Sequence, residues 1–336
     1  MQRFFIHTYK EAILVAKPIV YVTRRLPNEI ISELTEKYQV KMWEEEEMPV
    51  PRDVLKKEIA EADAVLSMLT DTFDEELLNM ASRLKVIANL AVGFDNIDVK
   101  ACEARGITVT NTPDVLTDTT ADLTFGLLLA TARRIPESVD VIRKDEWKTW
   151  SPYMMAGSDV HHKTIGIVGM GSIGEAVAKR ATGFDMNILY HNRNRKPEAE
   201  EKLGARYVSI DELLAQSDFV VSMTPLTEET KGMFDARAFD RMRKSAFFIN
   251  ASRGGVMNEA DLYQAIKEEK IQGAGLDVFE NEPIKSDHPL VQLDRVVALP
   301  HIGSATVETR NRMAMLCVEN LKRVLDGMEP LTPVKV

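Results

Sequence analysis

The chain has 336 residues, 45% of them hydrophobic and 28% charged, with a formal net charge of −10. That length exceeds one ordinary core and suits two domains. The acidic balance argues against a nucleic-acid partner, since a polyanion is repelled on average.

Cysteine usage and hydropathy narrow the setting. Only Cys102 and Cys317 are present, too few for a disulfide framework, which fits a reducing compartment and makes the cytoplasm the expected location. No apolar run reaches the length of a bilayer span, so no membrane partner is expected. Residues 1–17 mix aromatic and charged side chains without the pattern of a signal peptide, and read as an appended N-terminal arm.

From residue 18 onward the chain reads as α/β. A first series of short apolar strands begins at Pro18–Thr23, followed by a helix near Asn28–Tyr38, and continues with Ala64–Met68, Leu84–Leu90 and Ile107–Asn111. Strands of this kind alternating with helical segments predict a parallel sheet covered on both faces. Glu44–Glu47 is a charge run that reads as a solvated turn. Thr117–Ile135 then carries Ala121, Leu123, Phe125, Leu127, Leu128 and Leu129, and a second helix is expected over Pro136–Trp147. Both suit either a core or a contact between subunits. His161 and His162 are adjacent imidazoles that point apart on an extended chain, with no carboxylate cluster nearby, so no metal is expected.

The most informative stretch begins at Thr164. A β-branched strand runs into Gly169-Met170-Gly171-Ser172-Ile173-Gly174, which opens a helix. The first glycine permits a tight turn, the second lets the backbone approach a pyrophosphate, and the third lets helix and strand pack closely. The helix N-terminus offers unpaired N–H groups to the phosphates. About 20 residues on, an NAD-preferring site usually places an acid for the ribose 2′-hydroxyl. Here the strand Asn187–His191 ends instead in Asn192-Arg193-Asn194-Arg195-Lys196. Guanidinium groups bind a 2′-phosphate by charge-assisted bonds, so NADP(H) is the preferred cofactor, with NAD(H) possible.

Four later strands are expected at Phe219–Met223, Ala246–Asn250, Gly273–Asp277 and Val296–Pro300, six in all for this second series. Ligands in open α/β sheets lie beyond the carboxyl ends of strands, which singles out Arg253, Glu282 and His301. Arg253 can grip a carboxylate and polarise the neighbouring carbonyl. His301 can deliver a proton to the alkoxide formed on reduction, and Glu282 beside the imidazole favours its protonated form. A last helix, Thr306–Leu325, follows, with Met313, Leu316, Val318, Leu321 and Val324 apolar; it suits a return to the first domain.

From about residue 18 to the end the chain resembles the D-isomer-specific 2-hydroxyacid dehydrogenases, and among them the glyoxylate, hydroxypyruvate and 2-ketogluconate reductases. The motifs that carry the resemblance are Ala91 to Asp98, Thr110 to Pro113, Ala251 to Gly255, Gly275 to Pro283 and Leu299 to Ala305, all in family order. The resemblance implies that Arg253, Glu282 and His301 are the catalytic set. It implies that Val92 and Gly93 offer N–H groups to the substrate carboxylate, and that Asp277 faces the nicotinamide side. Thr224, Pro225 and Ala251 would line the cofactor, with Gly303 and Ser304 beside the active centre.

The implied fold is a doubly wound Rossmann domain, residues 115–302, inserted in a smaller flavodoxin-like substrate domain, residues 18–114 plus 303–336. Family members are typically homodimers built on the helices after the first domain. Trp150 to Ala156 resembles the family loop that reaches the partner's active site; an ordinary packed loop is the alternative. Gly255 departs from the commoner Lys, Ala or Pro, a change expected to loosen the turn and leave the chemistry intact. The function implied is NADPH-dependent reduction of a small 2-oxo acid, such as glyoxylate, hydroxypyruvate or 2-keto-D-gluconate, to the D-2-hydroxy acid. The alternatives are a nucleotide-sensing binding protein without turnover, like the corepressors that share this fold, and an NAD-linked D-2-hydroxyacid dehydrogenase.

Overall fold

The computed structural model describes residues 16–335, so the expected N-terminal arm lies, up to residue 15, outside the described residues. The chain divides into two compact units, one running to Thr112 and resuming at Ala314, the other formed by Pro113–Met313.

The first unit is a five-stranded parallel sheet. Its elements are β1 (Ile19–Val22), α1 (Asn28–Thr35), β2 (Gln39–Met42), α2 (Arg52–Ile59), β3 (Ala64–Ser67), α3 (Glu75–Leu78), β4 (Val86–Asn89), α4 (Val99–Ala104) and β5 (Thr108–Thr110). The strand order is β2-β1-β3-β4-β5, the flavodoxin-like winding. The strands β3 and β4 are buried along their whole length, as expected for a sheet covered on both faces.

The second unit begins with α5 (Thr117–Ala132) and α6 (Ile135–Arg143) and then builds its own sheet: β6 (Thr164–Val168), α7 (Ser172–Thr182), β7 (Asn187–His191), α8 (Pro197–Leu203), β8 (Arg206–Tyr207), α9 (Ile210–Gln216), β9 (Phe219–Ser222), α10 (Ala236–Arg241), β10 (Phe247–Asn250), α11 (Glu259–Lys267), β11 (Gly273–Leu276) and β12 (Val296–Ala298). The order β12-β11-β10-β9-β6-β7-β8 is the doubly wound pattern, with every pair parallel. A final helix, α12 (Val307–Leu325), starts in this unit and ends in the first. Each sheet starts with the same device. Asp63 Oδ2 accepts the N–H of Ile19 at 2.8 Å, and Asp218 Oδ2 accepts that of Thr164 at 2.9 Å.

Three expectations need correction. The second sheet has seven strands, not six, because β8 is a two-residue edge strand that pairs only through Arg206 and Tyr207, too short to show alternation. The first sheet gains β2, also an edge strand, whose Gln39 and Lys41 face solvent more than core. The two central helices end early, since Arg134 at φ 54° breaks α5 from α6 and α6 stops at Arg143. Their environments differ. Ala121, Phe125, Leu127, Leu128 and Ala132 of α5 are core, whereas α6 buries no residue. No helix among the described residues is long and apolar enough to cross a membrane.

Candidate active site

Within the second unit β6 lies between β9 and β7, so the chain leaves the end of β6 at the point where the winding reverses. The glycine turn sits there. Gly169 adopts φ +102°, a conformation closed to other residues without strain, and a Cβ on it would stand 2.6 Å from the Met223 carbonyl and 2.9 Å from Thr224 N. At Gly174 a Cβ would meet the Gly169 carbonyl oxygen at 2.1 Å, which fixes the approach of α7 to the turn. Gly171 is the opposite case: a Cβ there meets nothing within 4 Å. It is also the N-cap of α7 and provides no side-chain acceptor, so the first-turn N–H groups of Ser172 and Ile173 stay open. A cramped first glycine, an open second one and an uncapped helix form a cradle that fits a pyrophosphate. Met170 is buried, and after β9 the backbone nitrogen of Thr224 closes on Gly169, with Pro225 next in the chain.

The cationic end of β7 is sorted by its neighbours. Arg195 is committed to Glu200 through Nε and Nη2, both at 2.8 Å. Glu200 also accepts from Tyr190 Oη at 2.6 Å, and the two donors, Arg195 first, hold its carboxyl down at about 2. Lys196 Nζ lies 4.0 Å from Glu175. Arg193 is exposed and makes no hydrogen bond or ion pair among the described residues. Its charge contributes a little to the lowering of the Glu229 carboxyl, which is due chiefly to a bond from Thr227. Asn192 donates to the Asn194 carbonyl at 3.1 Å and shapes the turn that presents Arg193.

The three candidate catalytic residues stand beyond β10, β11 and β12. After β10, the buried Asn250 folds the loop on itself: its Oδ1 accepts from Ser252 N and Oγ, and its Nδ2 donates to the Arg253 carbonyl at 2.9 Å. Ala251 and Arg253 are half-buried in this loop, and Arg253 Nη1 reaches the Ser252 carbonyl at 2.9 Å. After β12, His301 adopts φ 55°, an uncommon conformation for a side-chain-bearing residue. Asp277 at the end of β11 stabilises that turn, since its buried Oδ1 accepts the Ile302 N–H at 2.8 Å. Burial pushes the Asp277 carboxyl above its ordinary range, against the pull of the Ile302 and Gly303 N–H groups and of His301.

His301 Nδ1 lies 2.7 Å from Glu282 Oε2, while Glu282 Oε1 accepts the Phe279 N–H at 2.9 Å. Burial alone would raise the Glu282 carboxyl; the hydrogen bond and charge of His301, the Phe279 N–H and the charge of Arg253 outweigh it and keep the carboxyl below its ordinary value. With Nδ1 committed, Nε2 is the ring nitrogen left to exchange a proton with a substrate. Gly303 is buried next to Asp277, and Ser304 follows it in the same turn.

Val92 and Gly93 belong to the first unit, after β4. Their carbonyls are taken by amide side chains, Asn111 Nδ2 to Val92 at 2.8 Å and Asn89 Nδ2 to Gly93 at 3.0 Å, and the first of these fixes the peptide that carries the Gly93 N–H. His161 and His162 are exposed but do not point apart on an extended chain as expected: His162 takes φ 60° in a turn, which brings the ring centroids to 5.0 Å, edge to face.

Comparison with known proteins points to one family. The model for the NAD-binding domain of the D-isomer specific 2-hydroxyacid dehydrogenases matches residues 125–303. A glyoxylate reductase of Thermococcus kodakarensis is 49% identical over 95% of this chain and 96% of its own. The chain belongs to the D-isomer-specific 2-hydroxyacid dehydrogenases. A crystal structure of a Thermus thermophilus protein superposes on this dehydrogenase with a TM-score of 0.89 at 42% identity, over 94% of this chain and all of that one. An NADPH-dependent glyoxylate/hydroxypyruvate reductase from Sinorhizobium meliloti, solved with NADP and malonate, gives a TM-score of 0.82 at 33% identity over 95% and 97%. The chain is thus an NAD(P)-dependent 2-hydroxyacid dehydrogenase that uses a nicotinamide dinucleotide.

Sequence reasoning named the residues that end the strands of this dehydrogenase and missed those that hold them. Asn250, Asn89, Asn111 and Glu200 were not assigned roles, although a buried Asn at the end of an apolar strand is itself a signal that a side chain is tying down the following loop.

Proposed function

We propose that this dehydrogenase reduces a small 2-oxo acid, with glyoxylate, hydroxypyruvate and 2-keto-D-gluconate as candidates, to the D-2-hydroxy acid at the expense of NADPH. The observation that carries the chemistry is the His301–Glu282 pair at 2.7 Å on adjacent strand ends of the nucleotide-binding sheet, with Arg253 close enough in charge to lower Glu282. Bound nicotinamide in its reduced form supplies the hydride. Arg253 holds the substrate carboxylate and polarises the carbonyl. His301 donates a proton from Nε2 to the developing alkoxide, while Glu282 stabilises the imidazolium at Nδ1.

The preference for NADPH is read from Arg193, the cation at the end of β7 with no partner among the described residues and hence available to a 2′-phosphate. The test is steady-state kinetics over the three 2-oxo acids with each coenzyme. A kcat/KM at least about tenfold higher with NADPH is expected from one charge-assisted contact; equal values would remove the NADPH assignment. Oxidation of NADPH with none of the three acids would remove the substrate class.

A second copy of the chain is the proposed partner. Ile135, Val139 and Ile142 leave α6 with an exposed apolar face, and Trp150 and Tyr153 beyond it are 75% and 88% exposed, so their side chains are not packed on the described residues of the chain. Sedimentation should give a dimer that Ile142→Glu weakens; a monomer at micromolar concentration would contradict it.

A further inference from the structure

The loop that bears Glu282 is anchored at a few points. Residues 280, 281, 283 and 285–287 are exposed and the Glu282 side chain is 30% exposed, while Val278 and Phe279 before them, the partly buried Ile284 among them and Leu290 after them are the apolar anchors. A side chain from another element spans its two ends. Glu259, the first residue of α11, accepts the Glu280 N–H through Oε1 at 2.6 Å, and its Oε2 lies 3.2 Å from His288 Nε2. A carboxylate only accepts, so His288 donates from Nε2. The Phe279 ring packs edge to face on that imidazole, 5.5 Å between centroids.

The same stretch of backbone leads to the reacting groups. One residue before Glu280, the Phe279 N–H donates to Glu282 Oε1, whose other oxygen meets His301. The loop after Arg253 rests on it too: a Cβ on Gly254 would fall 1.8 Å from the Phe279 carbonyl carbon, so nothing larger than glycine fits between them. Glu259, five residues beyond Gly254, therefore ties the Arg253 loop and α11 to the Glu282 loop.

We propose that Glu259 is a positioning residue for the reaction. Its carboxylate clasps both ends of the 280–288 loop and thereby holds Glu282, and through it His301, in register, with His288 as its orienting partner. This rests on the reading of Glu282 and His301 as catalytic. A Glu in the first turn of a helix also stabilises the helix by its charge alone, so the test has to separate position from stability.

The experiment is a double-mutant cycle on the full chain with NADPH and the best 2-oxo acid: Glu259→Ala, Glu282→Gln and both together, with kcat, KM and the NADPH dissociation constant measured for each. Displacing a reacting group by a fraction of an ångström to an ångström predicts a fall in kcat of about tenfold for Glu259→Ala, with KM and coenzyme affinity within about twofold. In the Glu282→Gln background the further loss should be under about twofold, because the group being positioned is already disabled. Glu259→Gln keeps an acceptor for the Glu280 N–H and should recover most of kcat; if the alanine variant does not fold, Glu259→Met, of similar length and without a carboxylate, takes its place in the cycle. An equal fall in both backgrounds, or no fall in kcat, overturns the proposal. Full kcat in Glu282→Gln alone overturns instead the catalytic reading on which it rests.

Discussion

The turn at 169–174 and the loops at 250–253, 277–282 and 300–304 lie on one sheet, yet they are built by different means. The turn is made of backbone: a glycine at φ +102°, a second with open space around it and an uncapped helix end. The loops are made of side chains tied to one another, Asn250 to Ser252 and Arg253, Asp277 to Ile302, Glu282 to His301. Backbone suits a ligand group that is always an anion of fixed shape. Side chains suit a site that must pass a proton and choose among substrates. Binding and chemistry should consequently fail separately.

The largest expected effect tests the loops. His301→Ala removes the proposed proton donor and should lower kcat by about 10³-fold, while the NADPH dissociation constant from fluorescence titration stays within about twofold. Coenzyme affinity lost to the same degree would mean that the two regions are not separable.

Next come the glycines, which divide the turn itself. Gly169→Ala forces a Cβ against the Met223 carbonyl at a φ that L-residues avoid, and should cost about 3 kcal/mol of stability in chemical denaturation together with coenzyme binding. Gly171→Ala meets no protein atom, so its melting temperature should match the parent while NADPH binding weakens by about tenfold. Equal loss of stability in both variants would contradict the cradle.

Arg193→Asp should weaken NADPH by about thirtyfold, the value of one lost charge-assisted contact, and leave NADH nearly unchanged. Arg195→Ala should do much less, because Arg195 is already bonded to Glu200. Reversal of that order in coenzyme titrations would exchange their roles.

These contrasts also mark what the amino-acid sequence discloses. Gly169, Gly171 and Gly174 could be assigned three separate roles from spacing alone, because each role is set by atoms within a few residues or on the adjoining strand. Arg193 and Arg195 look alike in sequence; Glu200, one helical turn into α8, distinguishes them only once the chain has folded. Glu259 and His288 are 29 positions apart, and nothing in either neighbourhood announces that they meet across a loop. The central strands were legible because burial on both faces makes them continuously apolar. The edge strands β2 and β8 were not, since none of their residues is fully buried and β8 has only two residues.

The smallest expected effect concerns pH. The Glu282 carboxyl is held below its ordinary value of 4.5 in the folded chain. A lowered carboxyl stabilises the fold fully above that ordinary value and ceases to do so as pH falls through the folded one. Melting temperatures of the parent and Glu282→Gln should differ most near neutrality and converge below pH 4.5. A difference that grows on acidification would contradict the sign.

The most direct test is a crystal structure of the ternary complex with NADPH and an unreactive 2-oxo acid analogue. The account predicts the analogue's carboxylate on the Arg253 guanidinium, its 2-oxygen within hydrogen-bond reach of His301 Nε2, and the nicotinamide C4 facing the 2-carbon. Arg253 and His301 both remote from C4 in that complex would contradict it.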